Sequence, residues 1–443
     1  MLNGLRHPTR LIPLAFLIVV LLGTALLMLP IASADHQTAA LHVALFTSVS
    51  AVCVTGLGVV DTPVYWSTFG QAVILLLIQV GGFGIMTGAT LLGLLVADRL
   101  RLGTRMLAQA ETRSTGLGNV TSVLKLIVIV TLVVELAIAA LLAKRLHVHY
   151  GEPWREAVWN GVFQSISAFN NAGFSTYSNS LIGFATDPLV IFPIMTAIVI
   201  GGIGFPVLYE IRKSGLHWGR WSLHTRITLL GSAILALFGT LAIFAYEQAN
   251  VATIGTFSTG EKWLIAAFHS ISARTAGFNS VDVGQMHQET LAVHYVLMFI
   301  GGGSAGTAGG IKVTTFFLLG LVVWAEIRGT EDANIFGRRI SMHTQRQALS
   351  VALLGAAAVG LATLALLSLT ALPMHVLLFE AISAFATVGL STGITADLPI
   401  AGQGVLIVLM FIGRVGTITV ATALALRGRP AHFRYPEERP IVG

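Results

Sequence analysis

The chain has 443 residues, of which 55% are hydrophobic and only 10% charged, and it carries a formal net charge of +6. Soluble proteins carry about 25% charged residues, so this composition excludes the soluble enzyme classes and indicates a protein with several membrane spans. Most of the 26 basic residues lie in alternate loops counted from the N-terminus. The positive-inside rule therefore predicts that these loops and both termini are cytoplasmic, and it explains the basic excess without a nucleic-acid partner.

A helix needs roughly 20 apolar residues to cross a bilayer. In chain order, eight such stretches are predicted, at about 11–33, 70–97, 121–145, 188–211, 226–246, 291–327, 347–371 and 403–427. No segment between them is long enough to fold as a sizeable soluble domain. Any large regulatory module is therefore expected to come from another chain, and the lipid bilayer surrounds this one.

A short segment recurs four times, each time between two of these apolar stretches. The copies begin at Phe46, Phe163, Phe268 and Phe379, and each continues with Val or Ile, Ser, Ala and, soon after, Gly. Each copy overlaps a half-length amphipathic stretch: 42–52, 154–169, 262–273 and 374–385. These stretches are too short to span the bilayer and are predicted to be re-entrant pore helices.

Recurrence at a fixed period identifies the repeating unit of the chain. We predict an all-α membrane protein of four helix–pore loop–helix repeats, with eight transmembrane helices and four re-entrant half-helices around a pseudo-fourfold pore. The repeats are assigned to residues 1–110, 111–220, 221–340 and 341–443, the last with a cytoplasmic tail. One such glycine alone would more simply be a helix-packing contact, but four in equivalent positions favour a filter.

The glycine segments are predicted to form an ion filter. Non-helical backbone at membrane depth is stable only where protein or water covers it. In potassium channels, rings of backbone carbonyls replace the hydration shell of the ion, and glycine permits the backbone angles that such rings need. The predicted filter residues, with K⁺ at their carbonyls, are Val54, Thr55, Gly56, Asn171, Ala172, Gly173, Thr275, Ala276, Gly277, Thr387, Val388 and Gly389.

The second helix of the fourth repeat departs from the other three. It carries Arg414 where they have Gly82, Gly202 and Gly302. A guanidinium at membrane depth is costly and normally functional. We expect Arg414 to project into the pathway below the filter, as an electrostatic barrier or as an anchor for a gate. A structural ion pair inside the bundle is the alternative.

The second helix of the third repeat is rich in glycine. Each glycine costs a helix about 1 kcal/mol relative to alanine, so this helix is predicted to break. The break is expected to form a loop under the filter that acts as a gate, and a kink for close packing is the alternative. The predicted gating residues are Gly301, Gly302, Gly303, Ser304, Ala305, Gly306, Thr307, Ala308, Gly309 and Gly310, with Lys312 and Arg414.

Acidic residues gather in the loops on the side opposite the basic ones. Asp187, Glu247 and Glu261 are examples. An acidic outer mouth would concentrate cations and speed their association with the protein. Ordinary solvation of loops is the alternative for any single residue.

These residues resemble the Trk/Ktr/HKT superfamily of potassium transporters, and within it the membrane subunits of bacterial Ktr systems. The four filter glycines, the 301–310 stretch and Arg414 match the filter glycines, the gating loop and the basic residue of that family. The resemblance implies a homodimer in the bacterial plasma membrane, with one pore in each protomer. It implies a cytoplasmic ring of nucleotide-binding RCK subunits, of the KtrA kind, as the regulatory partner. Gly56, where some relatives have serine, points to K⁺ rather than Na⁺ as the transported ion.

The third repeat has three residues, rather than four, between Ala273 and Gly277. Spacing alone therefore does not assign its filter carbonyls.

The sequence thus predicts a subunit for potassium uptake, with ions in single file, no bound cofactor and no enzymatic activity. The alternative is an alternating-access secondary transporter of another cation or a polar solute. Such transporters also use broken helices and repeats, usually two rather than four. A membrane enzyme would need clustered ionisable residues inside the bilayer, and the 13 histidines form no such cluster in the sequence.

Overall fold

A computed structural model describes residues 8–98, 120–330 and 332–416 of the chain. The predicted cytoplasmic tail and the end of the eighth predicted span lie outside the described residues.

Within the described residues the fold is helical, apart from one short antiparallel ribbon of β1 (Asn334–Ile335) and β2 (Arg338–Arg339). The mostly helical class is thus confirmed. The helices are α1 (Pro8–Leu27), α2 (Leu41–Val52), α3 (Thr62–Tyr65), α4 (Thr68–Asp98), α5 (Val120–Tyr150), α6 (Trp154–Phe169), α7 (Pro188–Ile203), α8 (Phe205–Ser214), α9 (Leu223–Glu247), α10 (Thr259–Ser272), α11 (Gln288–Phe299), α12 (Val313–Ile327), α13 (Met342–Leu369), α14 (Met374–Phe385) and α15 (Ile400–Phe411). A π-helical turn, Ile412–Gly416, follows α15.

Three described helical stretches are long and apolar enough to cross a bilayer alone: Lys125–Tyr150, Leu223–Glu247 and Met342–Leu369. The bent pair α7 and α8 would make a fourth if it is one span. The described parts of the other predicted spans form shorter apolar helices, among them Thr68–Gly84 and Val313–Ile327. The count of eight spans stays a prediction.

The half-length helices α2, α6, α10 and α14 lie where the four amphipathic stretches occur. In three repeats, a serine hydroxyl ties the half-length helix to the long helix that precedes it. These bonds run from Ser48 to the Val20 carbonyl at 2.8 Å, from Ser165 to Glu135 at 2.7 Å and from Ser270 to Ala236 at 2.8 Å. The half-length helix of the third repeat, α10, begins at Thr259 rather than at the predicted residue 262. Ser258 and Glu261 form a capping box that stabilises this earlier start.

The span predicted at 188–211 is not one helix, and here the sequence prediction is wrong. It breaks between α7 and α8, which are bent by 94°. Gly204 joins them with φ +98°, a conformation that side chains disfavour. Pro206 lies in the first turn of α8, where its missing N–H costs nothing. The Gly-Phe-Pro sequence was therefore a readable signal for the break.

The break predicted in the 291–327 stretch is present. Helix α11 ends at Phe299 and α12 begins at Val313. The Gly301 N–H donates to the Ile311 carbonyl at 2.8 Å, and the Ile311 N–H donates to Phe299 at 3.2 Å. These bonds close the base of the intervening loop, residues 301–310, which we call the glycine loop.

Candidate functional site

The four predicted filter glycines lie next to one another in a closed cycle. A Cβ atom placed on Gly56 would lie 3.0 Å from the Cα atom of Gly173. One on Gly173 would lie 3.0 Å from Gly277 Cα, and one on Gly277 would lie 3.1 Å from Gly389 Cα. A Cβ on Gly389 would lie 3.1 Å from the carbonyl carbon of Thr55, the residue before Gly56. The repeats therefore follow one another around a single ring in chain order.

Carbonyl oxygens fill the space beside each ring glycine. A side chain on any of the four would collide with the carbonyl oxygen of the residue before the next glycine. These oxygens belong to Ala172, Ala276, Val388 and Thr55, in the same order around the ring. The four glycines have φ between +70° and +97°. Both the space and the backbone angle therefore require glycine at these positions.

The residue two positions before each ring glycine also has a positive φ. The values are 57° for Val54, 59° for Asn171, 76° for Thr275 and 51° for Thr387. Positive φ is uncommon outside glycine. Its recurrence at four equivalent positions shows that each segment makes the same turn. It also aligns Thr275 with Val54, Asn171 and Thr387, the first predicted filter residues of the other repeats.

The shorter third repeat keeps the same anchor. Each copy has a serine directly before its alanine, which we call the motif serine. In the other repeats, the N–H of the residue before the ring glycine donates to the carbonyl of this serine. These bonds are Thr55 to Ser50 at 2.7 Å, Ala172 to Ser167 at 2.8 Å and Val388 to Ser383 at 2.8 Å. In the third repeat, Ala276 donates to Ser272 at 2.8 Å, across one residue fewer. The tighter turn absorbs the missing residue and leaves the segment in register.

The half-length helices end beside the ring, and the second helix of each repeat packs against those ends. A side chain on a glycine of the second helix would collide with the last carbonyl of the half-length helix. The pairs are Gly81 with Val52, Gly201 with Phe169 and Gly413 with Phe385. Helix C-termini carry partial negative charge, so at least these three direct a field that favours cations toward the ring.

The glycine loop lies against the same assembly. A Cβ on Gly301 would lie 3.3 Å from Thr275 Cγ2, and one on Gly309 would collide with Thr387 Oγ1. The Gly303 N–H donates to the Gly202 carbonyl at 2.8 Å. The loop therefore touches two predicted filter segments and the second helix of the second repeat.

Thr307 is the most connected residue of the glycine loop. Its N–H donates to the Gly201 carbonyl at 3.1 Å, and its hydroxyl donates to Phe169 at 3.3 Å. Its own carbonyl accepts from the guanidinium of Arg414, which is only 2% exposed. Beside it, the ammonium of Lys312 donates to the Ala308 carbonyl. The buried Arg414 and the half-buried Lys312 thus hold neighbouring carbonyls of the loop.

Arg414 makes no ion pair with a carboxylate among the residues that the structure describes. Glu135, inside the stretch predicted at 121–145, has other partners. Its carboxylate accepts from Gln79 at 3.1 Å and from Asn170 at 3.1 Å. The structural ion pair considered for Arg414 is therefore not its role in this part of the chain.

Residues 4–431 match the family described as TrkH, cation transport protein. The chain belongs to the TrkH family. It is 38% identical over 436 residues to Ktr system potassium uptake protein B of Bacillus subtilis (strain 168), covering 98% of this chain and 97% of that protein. It is 38% identical over 438 residues to the protein of the same name from Vibrio alginolyticus, covering 98% and 94%.

The fold of this TrkH family member is shared with a solved structure. The potassium transporter TrkH from Vibrio parahaemolyticus superposes with a TM-score of 0.70 at 20% identity, covering 95% of this chain and 86% of that one. The family is one of cation transport rather than of enzymes.

The motif serine of this family member has a role at the ring that was not predicted from the sequence. In the fourth repeat, the Ser383 hydroxyl donates to the Leu390 carbonyl at 2.6 Å and accepts from the Gly389 N–H at 3.2 Å. Ser167 and Ser272 donate in the same way to Phe174 and Phe278. The serine therefore clamps the chain across the ring glycine. Its recurrence in all four copies was the available signal.

Two of the acidic residues predicted to lie at the outer mouth have structural roles. Asp187 caps the N-terminus of α7 and accepts from Arg145 at 2.7 Å and from the Leu189 N–H at 3.0 Å. Burial by itself would raise the pKa of Asp187, but these hydrogen bonds, with one from Tyr150, hold it below its ordinary value. Glu261 belongs to the capping box of α10. For these residues, local structure accounts for the acidic group.

Proposed function

We propose that the chain is the ion-conducting membrane subunit of a Ktr-type potassium uptake system in the bacterial plasma membrane. The observation that carries the proposal is the closed ring of four glycines, each beside a backbone carbonyl, in a member of a cation transport family. The two relatives described above are named potassium uptake proteins, which supports K⁺ as the ion.

Potassium ions would pass in single file through the carbonyls of residues 54–56, 171–173, 275–277 and 387–389. Carbonyl rings replace the hydration shell of an ion, and the negative ends of the half-length helices favour a cation over an anion. Na⁺ is the alternative transported ion. We expect the filter to prefer K⁺ over Na⁺ because Gly56 contributes only backbone atoms to the ring.

The repeat architecture belongs to the same proposal. Four helix–pore loop–helix units, at residues 1–110, 111–220, 221–340 and 341–443, would surround a pseudo-fourfold pore with eight spans. The order of contacts around the ring supports this arrangement. The basic loops favour an orientation with both termini in the cytoplasm.

The glycine loop would be the gate. Arg414 and Lys312 hold its carbonyls, and the loop contacts the predicted filter segments of the third and fourth repeats. Moving it would require breaking these bonds. A cytoplasmic ring of nucleotide-binding RCK subunits would supply that work, and the membrane subunit would act as a homodimer.

One observation favours the second candidate, an alternating-access transporter. The α7–α8 pair is sharply bent and the 300–312 segment is not helical, and broken helices are typical of such transporters. The fourfold ring favours a pore, because alternating-access folds usually have two repeats.

Expression in a bacterial strain without its own potassium uptake tests the proposal. We expect the chain, with its regulatory partner, to restore growth at low K⁺ but not to restore uptake of other solutes. Purified protein in liposomes then separates the two candidates. With the membrane voltage held at zero, a pore carries tracer rubidium without acceleration by unlabelled ion on the far side, whereas acceleration by that ion would favour alternating access.

A further inference from the structure

The residue after the motif phenylalanine differs in every repeat. It is Thr47, Gln164, His269 or Glu380, and each is at most 2% exposed. Two of the neutral members reach the chain beyond the ring glycine. Gln164 Nε2 donates to Ser175 Oγ at 2.7 Å, and His269 Nε2 accepts from the Ser280 N–H at 3.2 Å. This position therefore supports the outer mouth, by which we mean the residues that follow the ring glycines.

Glu380 makes the largest set of such contacts. Its carboxylate accepts from the Ser391 hydroxyl at 2.5 Å, the Thr392 N–H at 3.1 Å and the Thr395 hydroxyl at 3.0 Å. The Thr392 N–H is a donor only, and the Ser391 and Thr395 hydroxyls can donate as well. An ionised carboxylate is an acceptor only, so the contacts suit the charged form.

The charge of Glu380 has no basic partner among the described residues. A buried carboxylate without a countercharge is expensive, and among the described residues hydrogen bonds rather than an ion pair offset that cost for Glu380. Its partners begin two residues after Gly389, whose N–H is held by Ser383 at 3.2 Å. Glu380 thus contacts the chain just beyond the fourth ring glycine, beside the proposed ion pathway.

We infer that Glu380 is the fixed negative charge of the outer mouth and sets the affinity of the filter for potassium. The inference rests on the proposed function. Thr47, Gln164 and His269 are not acidic, so this buried position carries a carboxylate in the fourth repeat only. The outermost bound cation is its countercharge, and Glu380 acts by holding residues 391–395 and by its field.

The fourfold arrangement provides a test by moving the charge. The variants are Glu380→Gln, Glu380→Asp, Gln164→Glu and the double variant Glu380→Gln/Gln164→Glu. Two quantities are measured for each: the rubidium concentration at half-maximal uptake into liposomes, and the K⁺ concentration that half-maximally protects the detergent-solubilised protein against thermal unfolding.

We expect Glu380→Gln to raise both concentrations about tenfold, the size expected for losing one charge about 12 Å from the ion at an effective dielectric constant of about 20. Glu380→Asp should stay near the wild type. The double variant should recover most of the loss, and Gln164→Glu alone should lower both concentrations. Maximal uptake should change less than the half-saturating concentration.

Unchanged half-saturation in Glu380→Gln would overturn the inference, as would a loss of maximal rate that the double variant does not restore. If Glu380→Gln does not fold, unchanged half-saturation in Gln164→Glu overturns it instead. Wild-type protein that K⁺ protects but that carries no rubidium would contradict the proposed function, while the protection measurements would still decide the role of Glu380.

Discussion

The guanidinium of Arg414, in the fourth repeat, donates to the backbone carbonyl of Thr307, in the third. Thr307 also donates to Gly201 and Phe169 of the second repeat. One loop residue therefore joins three repeats beneath the ring. Arg414 and the glycine loop are the two departures from the repeat pattern in the sequence, and they contact each other directly.

Replacing Arg414 with alanine should make the transporter leak. The substitution removes the donor to the buried Thr307 carbonyl, which costs about 1–3 kcal/mol in the conformation described here. Rubidium efflux from liposomes without the regulatory partner should rise by roughly fivefold or more. Arg346→Ala, at an exposed position at the start of α13, is the control and should not change efflux. Equal efflux from both variants and the wild type would return Arg414 to a purely structural role.

Replacing Gly56 with alanine should impair potassium preference. The new Cβ would collide with the Ala172 carbonyl oxygen in the ring, and φ at this position is +90°. Gly337→Ala is a matched control, since Gly337, in the turn of the β ribbon, has φ +74° but no atom within 4 Å of an added Cβ. The ratio of rubidium to sodium flux should fall in the first variant and persist in the second. A similar fall in both would attribute the effect to backbone strain rather than to the ring.

Replacing Ser383 with alanine should loosen the fourth segment. The change leaves the Gly389 N–H and the Leu390 carbonyl without their shared partner, at about 1–3 kcal/mol for each group left unsatisfied. We expect lower selectivity for rubidium over sodium in competitive uptake. Ser368→Ala, which removes an exposed hydroxyl bonded to the Ala365 carbonyl, should transport like the wild type. A selective Ser383→Ala protein would show that the clamp is dispensable.

Replacing Gly413 with alanine should destabilise the protein. The added Cβ would overlap the Phe385 carbonyl at the end of α14, and overpacking of this kind costs about 1–3 kcal/mol. In Gly404→Ala the added Cβ meets no atom within 4 Å, so helix propensity should leave that protein as stable or more stable. Thermal unfolding in detergent compares the two. Equal midpoints would contradict the close packing of the π-helical turn after α15 against α14.

Local pattern in the sequence was enough to locate the half-length helices, the ring glycines and the break at residues 300–312. Each depends on residue types within one short segment. The bend at Gly204 was missed because hydropathy alone does not register a turn inside an apolar stretch, although the Gly-Phe-Pro signal was present. The partner of Arg414 could not be read, because Thr307 lies more than a hundred residues away and only packing brings them together.

The buried carboxylates show the same limit. Glu135 and Glu380 are identifiable in sequence as acidic residues in apolar segments. Their partners, Gln79 for Glu135 and Ser391 for Glu380, come from other elements of the fold. The sequence therefore indicates that these two carboxylates need hydrogen-bond partners, but only the tertiary structure identifies those partners.

Competition for tracer rubidium uptake tests the central claim most directly. Purified protein is reconstituted in liposomes, and uptake is measured against increasing external K⁺ or Na⁺. The closed ring of carbonyls predicts that K⁺ blocks uptake at much lower concentration than Na⁺, and that Gly56→Ala brings the two curves together. Equal inhibition by K⁺ and Na⁺ in the wild type, or uptake indifferent to both, would contradict a potassium filter built from the four glycines.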